Sequence, residues 1–352
     1  MLFWYEHKER MIMENNFKLL TMKEESKLCK EELILYYNQL RVDVLNRKLQ
    51  VTTPGALTIA PKLKRIVNKV AKKLVPILAG GDVEIVSDGQ ENIPEGAVLF
   101  ASTHQGILDN FCWISETPKH CVILHSKVTS PFLLISQLCT GLVLVSKKKE
   151  DIDNRRNAKL DMIQILLKGH SIWYSPESAW NLSPNKLHLP LSFGFLDVAK
   201  KAGVPVIPVV TEFSYDTSDS KERVTKVHTR YGKPIVVNMF DDLNQKLLEY
   251  EEQISTIRWE LFEEKGQFAR SEFTNWDYIN YLKGNISNLE FGKIDINIER
   301  KGLKDSDDDF YLFHHINDVP FNEEGELLET EEKIRLKKLF WKIYYKFYIG
   351  KL

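Results

Sequence analysis

Short apolar runs alternate with amphipathic stretches through the middle of the chain, from residue 82 to residue 240. Runs without polar alternation are typical of strands covered on both faces, and they occupy 97–101, 121–124, 142–145, 171–174 and 204–210. Weaker strand patterns lie at 83–86, 224–229 and 235–237, and helical spacing lies at 155–168, 191–201 and 241–264. The alternation predicts an α/β fold with a mostly parallel central sheet covered by helices on both faces. Two prolines, Pro205 and Pro208, favour an edge or terminal position for the 204–210 strand.

The N-terminal part, residues 1–81, predicts amphipathic helices. The stretch 58–75 repeats apolar residues at intervals of three and four and gathers lysines and an arginine on the other side. No acidic residue occurs between Val51 and Gly81, and Pro76 with the pair Gly80-Gly81 is expected to end this helix. A helix with only positive charge suits an anionic membrane surface, and the alternative is a surface helix packed on the core.

The C-terminal part, residues 241–352, is predicted as a mixed, largely helical extension that ends in a second basic segment at 333–352. This segment contains seven Lys or Arg, no acidic residue, and aromatic residues beside its apolar stripe. Aromatic residues with lysines suit the headgroup region of a membrane. A terminal helix docked on the core and a helix that binds a partner's groove are the alternatives. Residues 266–330 give no clear pattern. The chain thus divides into 1–81, 82–240 and 241–352.

Composition narrows the class of protein. With 43% hydrophobic residues, 28% charged residues and a net charge of −1, the chain is typical of a globular protein and gives no indication of nucleic-acid binding. The four cysteines form no C-x-x-C pair, which indicates reduced thiols, and no histidine spacing predicts a metal site. The start of the chain does not read as a signal peptide, and no apolar stretch reaches the roughly 18–20 residues of a spanning helix. We therefore expect a peripheral protein on the cytoplasmic face of a membrane.

The best candidate for chemistry is the segment 101–110, which follows the 97–101 strand. It contains His104 and Asp109, five positions apart, and Gly106 between them allows a sharp turn. Across a strand-to-helix turn the two side chains can face each other. A carboxylate on one imidazole nitrogen fixes the tautomer and raises the basicity of the other nitrogen, so the pair could take a proton from a hydroxyl. A helix-capping Asp beside a loop His is the alternative.

Three further short segments with candidate functional residues follow along the chain. The strand Gly141–Val145 leads to Lys147, where a cation could hold a phosphate. Ser175-Pro176-Glu177-Ser178 directly follows the 171–174 strand, and a carboxylate at the end of a parallel strand lies where open α/β sheets bind ligands. The third run is Val204-Pro-Val-Ile-Pro208.

In this order and spacing, over residues 82–235, the four runs resemble the glycerolipid acyltransferase family, typified by lysophosphatidic acid acyltransferase and including glycerol-3-phosphate acyltransferases. His104 and Asp109 match its His-x4-Asp block, with Thr103 where the family often has Asn. Lys147 occupies the arginine position of the Gly-strand-Arg block. In the Phe-Pro-Glu-Gly-Thr block only Pro176 and Glu177 match, because Ser178 replaces glycine. Val204–Pro208 matches the late proline block.

The resemblance implies an O-acyltransferase that moves a fatty acyl group from acyl-CoA or acyl-carrier protein to a hydroxyl of a lysophospholipid or glycerol-phosphate acceptor. It implies His104 as general base and Asp109 as its orienting carboxylate, with no metal and no cofactor beyond the acyl donor. It assigns the substrate surface to Lys147, Pro176, Glu177, Ser178, Thr103 and Gly106. The departures from the family pattern lie in its acceptor blocks, while the base pair is intact. A non-catalytic lipid-binding or membrane scaffold protein on the same fold is the alternative.

Overall fold

The computed structural model describes residues 19–53, 55–79, 81–105, 107–126, 140–146, 151–177, 181, 187–188, 191–216 and 223–265 of the chain. The predicted segment 333–352 and the region 266–330 lie outside these ranges. The helices are α1 (Met22–Glu25), α2 (Lys30–Asn46), α3 (Ala60–Ala79), α4 (Ile107–Glu116), α5 (Ile152–Leu167), α6 (Gly194–Ala202) and α7 (Leu243–Lys265). The strands are β1 (Glu84–Asp88), β2 (Leu99–Ser102), β3 (Cys121–Ser126), β4 (Leu142–Val145), β5 (Ser171–Tyr174), β6 (Val206–Asp216) and β7 (Arg223–Tyr231).

The seven strands form one sheet in the order β1-β7-β6-β2-β5-β3-β4. Every neighbouring pair is parallel except β6 and β7, which are antiparallel. The predicted α/β fold with a mostly parallel sheet is therefore confirmed. Strand β2 lies between β5 and β6, so the chain segments that follow β2 and β5 leave the sheet side by side at the same edge.

Helices cover both faces of this sheet. On one face, buried side chains of α2, α5, α6 and α7 pack with Leu99, Ile172 and Val206 of the strands in the largest apolar cluster. On the other face, Trp113 of α4 packs with Phe100 of β2 in a second cluster. Helix α3 joins this face through a third cluster. Helices from both flanking parts of the chain, α2 and α7, thus share a core with the strands, and the predicted domain boundaries stay a prediction.

The two prolines predicted an edge or terminal position for the 204–210 strand. An edge position is wrong, because the corresponding strand β6 lies inside the sheet. It pairs with β2 on one side and β7 on the other, and the prolines lie at its beginning. Pairing between β6 and β7 starts only at Val209. Pro208 instead lies beside Gly232, which follows β7 and whose N–H donates to the Pro208 carbonyl. The missing N–H of Pro208 therefore interrupts no ladder with β7, and a central strand tolerates it.

Helix α3 does not end at Pro76 as expected but continues to Ala79. A proline inside a helix removes one hydrogen bond, so it costs least near an end. Here it lies in the last turn, and the N–H of Gly81 donates to the Pro76 carbonyl at 2.9 Å. The helix ends at Ala79, directly before the predicted glycine pair, of which Gly80 lies outside the described residues.

Candidate active site

His104 lies in the turn between β2 and α4, and its ring faces Asp109 in the first turn of that helix. The distances from Nδ1 to the two carboxylate oxygens are 3.0 and 3.1 Å. The N–H of Gln105 also donates to Asp109 Oδ2, at 2.7 Å. The Asp109 side chain is fully buried, while the His104 side chain is 18% exposed. The sharp turn thus brings the pair together as the sequence predicted, with only the histidine reaching the surface.

This contact fixes how the imidazole can work. A carboxylate accepts hydrogen bonds and does not donate them, so the proton of a neutral ring lies on Nδ1 and the lone pair on Nε2. Nε2 is then the atom at which His104 can accept a proton from a bound hydroxyl. If that happens, the buried carboxylate stabilises the resulting imidazolium, because the two opposite charges are close and shielded from water.

The segment that follows β5 holds the backbone of His104 on both sides of its Cα. The N–H of His104 donates to Glu177 Oε2 at 2.9 Å, and the His104 carbonyl accepts from the N–H of Asn181 at 2.6 Å. Glu177 and Asn181 are both buried. Because β5 is the neighbour of β2, Glu177 and Asn181, which follow β5, lie beside the turn that carries His104. Glu177 therefore contacts the turn itself, and its predicted role in substrate binding stays a prediction.

The other neighbour of β2, strand β6, holds the turn through Gln105. The amide nitrogen Nε2 of Gln105 donates to the Thr211 carbonyl at 2.8 Å and to Glu212 Oε1 at 2.5 Å. Glu212 in turn pairs with Arg258 of α7, and both side chains are 4% exposed. The residue after the candidate base is thus held by the strand on the opposite side from Glu177.

Two stacked tryptophan rings lie beside the candidate base. The ring centroids of His104 and Trp113 are 5.5 Å apart, and Trp113 stacks on Trp173 at 4.7 Å. The indole N–H of Trp113 donates to Thr211 Oγ1 at 2.9 Å, which fixes the plane of the ring. Trp113 follows Asp109 by four positions on α4 and so lies on the same helix face. The Trp113 ring limits how far the His104 imidazole can turn away from Asp109.

The other predicted site residues divide into two groups. Thr103 is buried and continues the ladder with β6, since its N–H donates to the Val209 carbonyl at 3.0 Å. Pro176 is buried directly after β5. Gly106, Lys147 and Ser178 lie outside the described residues, so their predicted roles stay predictions. Strand β4, which precedes Lys147, is one of the two edge strands of the sheet and is separated from β2 by β5 and β3.

Cys112 is the thiol nearest the pair along the chain, and its surroundings do not suit a nucleophile. It is 1% exposed on α4, and burial raises the pKa of its thiol, with the charge of Asp109 adding to the effect. A reactive cysteine needs a stabilised thiolate. The structure therefore agrees with a small buried core residue.

Several functional candidates were missed by the sequence analysis: Gln105, Trp113, Asn181, Glu212 and Arg258. A signal existed for Trp113, because its spacing from Asp109 is one helical turn. For the others no local pattern exists: Gln105 and Arg258 both contact Glu212, from 107 and 46 positions away along the chain, and only the fold brings them to it.

The fold and this site define a class: an α/β domain that presents a histidine–carboxylate pair after a central parallel strand. Residues 84–212 match the family model described as Acyltransferase. The chain is 25% identical over 120 residues to a Caenorhabditis elegans protein named as a 1-acyl-sn-glycerol-3-phosphate acyltransferase, acl-2. That alignment covers 33% of this chain and 41% of the relative, so the chain spans about two fifths of the relative's length.

Among solved structures, the chain is similar to the 1-acyl-sn-glycerophosphate (LPA) acyltransferase PlsC from Thermotoga maritima. The sequence identity is 18% and the TM-score is 0.46, and the alignment covers 67% of this chain and 91% of that chain.

Proposed function

We propose that the protein is an O-acyltransferase that moves a fatty acyl group from a thioester donor, acyl-CoA or acyl-carrier protein, to a hydroxyl of a lysophospholipid or glycerol-phosphate acceptor. The observation that carries the proposal is the contact of His104 Nδ1 with the buried carboxylate of Asp109, at 3.0 Å, within the residues that match the Acyltransferase family model. The name of the C. elegans relative supports a glycerolipid acceptor.

The proposed reaction is a direct transfer. His104 Nε2 accepts the proton of the acceptor hydroxyl as its oxygen attacks the thioester carbonyl carbon, and Asp109 stabilises the imidazolium that forms. The carbon–sulfur bond then breaks, and His104 returns the proton to the departing thiolate. A positioned general base contributes about 10²–10⁴-fold to such a rate. The rest of the acceleration must come from orienting the two substrates and stabilising the oxyanion.

The acceptor side of the site is the part that departs from the family pattern. We propose that Lys147 contacts the acceptor phosphate in place of an arginine, and that Pro176, Glu177 and Ser178 belong to the substrate surface. A lysine is a point charge without the two-pronged fork of arginine, so it holds a phosphate with less control of orientation.

The alternative function is a non-catalytic lipid-binding or scaffold protein on the same fold, motivated by the altered Pro176-Glu177 block. The geometry of His104 and Asp109 favours the enzyme, because a lipid-binding surface has no need of a fixed imidazole tautomer beside a buried carboxylate. The two functions differ in one measurable property, which is the formation of a new ester.

The test uses the purified full chain with labelled acyl-CoA or labelled acyl-carrier protein, each offered lysophosphatidic acid and a total lipid extract. The variants are H104A and the matched control H228A, since His228 also contacts an aspartate, Asp88, with Nε2 at 2.5 Å from Oδ2. We expect labelled diacyl product from wild type and H228A, and a loss of about 10²–10⁴-fold in H104A. Equal product from wild type and H104A would reject the catalytic role.

We also propose that α3 docks the domain on an anionic membrane on the cytoplasmic side. One face of α3 is buried, at Ala60, Val67, Ala71 and Val75, which is the core-packed alternative from the sequence. A second apolar stripe is exposed, with Ile59 47%, Ile66 62%, Val70 48% and Ile77 73% exposed. Exposed residues beside it are Lys62, Arg65, Lys69, Lys72 and Lys73. An exposed apolar stripe beside cations is the arrangement of helices that lie in the membrane interface.

The position of α3 supports this proposal. It packs on α4, and Val75 lies in one apolar cluster with Leu108 and Cys112, close to the first turn that carries Asp109. A membrane beneath α3 would therefore lie beside the catalytic turn. None of the helices within the described ranges combines the length and apolar character needed to cross a bilayer.

A further inference from the structure

Arg258 is a buried arginine on α7, beyond the residues that match the acyltransferase family. Its side chain is 4% exposed, and its guanidinium has partners on two separate elements. Nε donates to Glu212 Oε1 at 2.5 Å, and Nη1 donates to the backbone carbonyl of Leu187 at 2.5 Å. A buried guanidinium requires such partners, because removing its charge from water is costly unless it is paired and hydrogen-bonded.

The two elements that Arg258 joins are those that hold the catalytic turn. Glu212 belongs to β6, and its Oε1 also accepts from Gln105, the residue after the candidate base. Leu187 belongs to the segment after β5, the same segment that holds the backbone of His104 through Glu177 and Asn181. The turn is therefore bound on one side by β6 and on the other by the β5 continuation.

We propose that Arg258 is a positioning residue for the His104–Asp109 pair: its guanidinium ties Glu212 of β6, which also holds Gln105, to Leu187 in the part of the chain that follows β5. The catalytic consequence rests on the proposed function, while these contacts do not. A general base must lie within hydrogen-bond reach of its proton, and a displacement of about 1 Å can cost 10²-fold in rate. The helix α7 thus takes part in the active site without touching the substrate.

A purely structural ion pair is the competing explanation, and it makes a different prediction. A residue that acts through His104 loses its effect on rate once His104 is absent, whereas a residue that supports the whole fold lowers every remaining activity. The double variant H104A/R258M separates the two. The matched control is R230M, because Arg230 also pairs with α7, through Glu260 and Glu264, but lies at the sheet edge with Asp88.

The experiment measures kcat and KM for acyl transfer in the full-length chain, together with thermal unfolding of each variant. We expect R258M to lower kcat by about 10–100-fold with KM for the donor within about twofold of wild type. R258K keeps the charge but cannot reach both partners, so its kcat is expected between those of wild type and R258M. R230M is expected to keep the wild-type kcat, and H104A/R258M is expected to match H104A.

A kcat of R258M equal to that of R230M would overturn the proposal. It would also be overturned if R258M lowered kcat in the H104A background by the same factor as in wild type. If R258M does not fold, R258K is judged by the same criteria. Hydrogen exchange at the amides of His104 and Asn181 gives a readout without activity: R258M should speed both and R230M neither. If wild type shows no acyl transfer that depends on His104, the proposed function fails. In that case the positioning role is rejected if hydrogen exchange at the amides of His104 and Asn181 is the same in R258M as in wild type.

Discussion

The buried carboxylate of Glu177 accepts a hydrogen bond from the backbone N–H of His104 at 2.9 Å. The family resemblance assigns this carboxylate to the substrate surface. In the structure it contacts the main chain of the candidate base. The two roles predict different kinetic effects, because a group that binds the acceptor acts on KM and a group that positions the base acts on kcat.

We expect E177A to lower kcat, since the His104 N–H would lose its acceptor in a buried position, at a cost of about 1–3 kcal/mol. E177Q retains an oxygen that can accept this bond, so its kcat should stay closer to wild type. Steady-state kinetics with the acceptor as the varied substrate checks the prediction. A large rise in the acceptor KM of E177Q with kcat unchanged would instead place Glu177 on the acceptor.

Replacing Asp109 with Asn should abolish most of the transfer. The aspartate accepts from His104 Nδ1 and from the N–H of Gln105, whereas an asparagine has one acceptor oxygen and an N–H₂ group that only donates. An N–H₂ group facing Nδ1 favours the other tautomer, in which Nε2 carries the proton and cannot act as a base. We expect D109N to lose about 10²–10⁴-fold in kcat, measured against H104A as the floor. A D109N variant with wild-type kcat would contradict a proton-transfer role for the pair.

The sequence sufficed for those parts of the fold and site that depend on local patterns. Continuous apolar runs located β4 and β5 at their observed bounds, because a strand covered on both faces leaves no polar position. The His104–Asp109 pair was also predictable, since both residues belong to one short turn whose shape follows from the change of strand to helix. In each case the signal and the structure span the same few residues.

The features of the fold and site that could not be predicted depend on which strands become neighbours in the sheet. Strand β6 was predicted from its apolar run, but its central place is set by pairing with β2 and β7, which no local pattern encodes. For the same reason Glu212 and Arg258 gave no signal: each reads as an ordinary charged residue until the fold buries them together beside Gln105. In α3 the pattern predicted one apolar stripe, and only packing against α4 separates its buried residues from those left exposed.

The buried charges that join the N-terminal helices to α6 should matter for stability rather than catalysis. Lys201 is fully buried and pairs with Glu25 of α1 and Asp197 of α6. We expect K201M to lower the free energy of unfolding by about 3–5 kcal/mol, because it leaves two carboxylates in a buried site without this cation. The control K246M removes a surface pair with Glu249 and should cost at most about 1 kcal/mol. Urea unfolding of both variants checks the difference, and equal midpoints would contradict it.

The same cluster predicts how stability depends on pH. Burial alone would raise the pKa of Asp197, but its ion pairs with Lys159 and Lys201 outweigh burial and hold that pKa below the usual value. A similar balance lowers the pKa of Asp88, where burial is opposed by hydrogen bonds from Arg230 and His228. A carboxylate whose folded pKa is lowered contributes stability above its unfolded pKa of about 3.9, and that contribution is lost as the pH falls below this value.

We therefore expect the urea midpoint of wild type to fall as the pH is lowered from about 5 to about 3, and we expect D88N to show a shallower fall. Asp88 is the better probe because it is partly exposed, so its replacement should leave the fold intact. Parallel slopes for wild type and D88N over this range would show that Asp88 does not contribute to the acid sensitivity.

The exposed stripe of α3 should bind anionic vesicles, and charged substitutions in it should release the protein. The variant I66E/V70E places two acids in that stripe, and its matched control L35E/V42E alters two residues of α2 that are 56% and 53% exposed on the opposite face of the sheet. Burying a large apolar side chain contributes about 1.5–3 kcal/mol, so the loss of two should weaken binding at least about tenfold. Flotation with vesicles rich in phosphatidylglycerol measures this, and added salt should weaken binding of wild type as well, because lysines beside the stripe are screened. Equal flotation of both variants would show that α3 is not the docking surface.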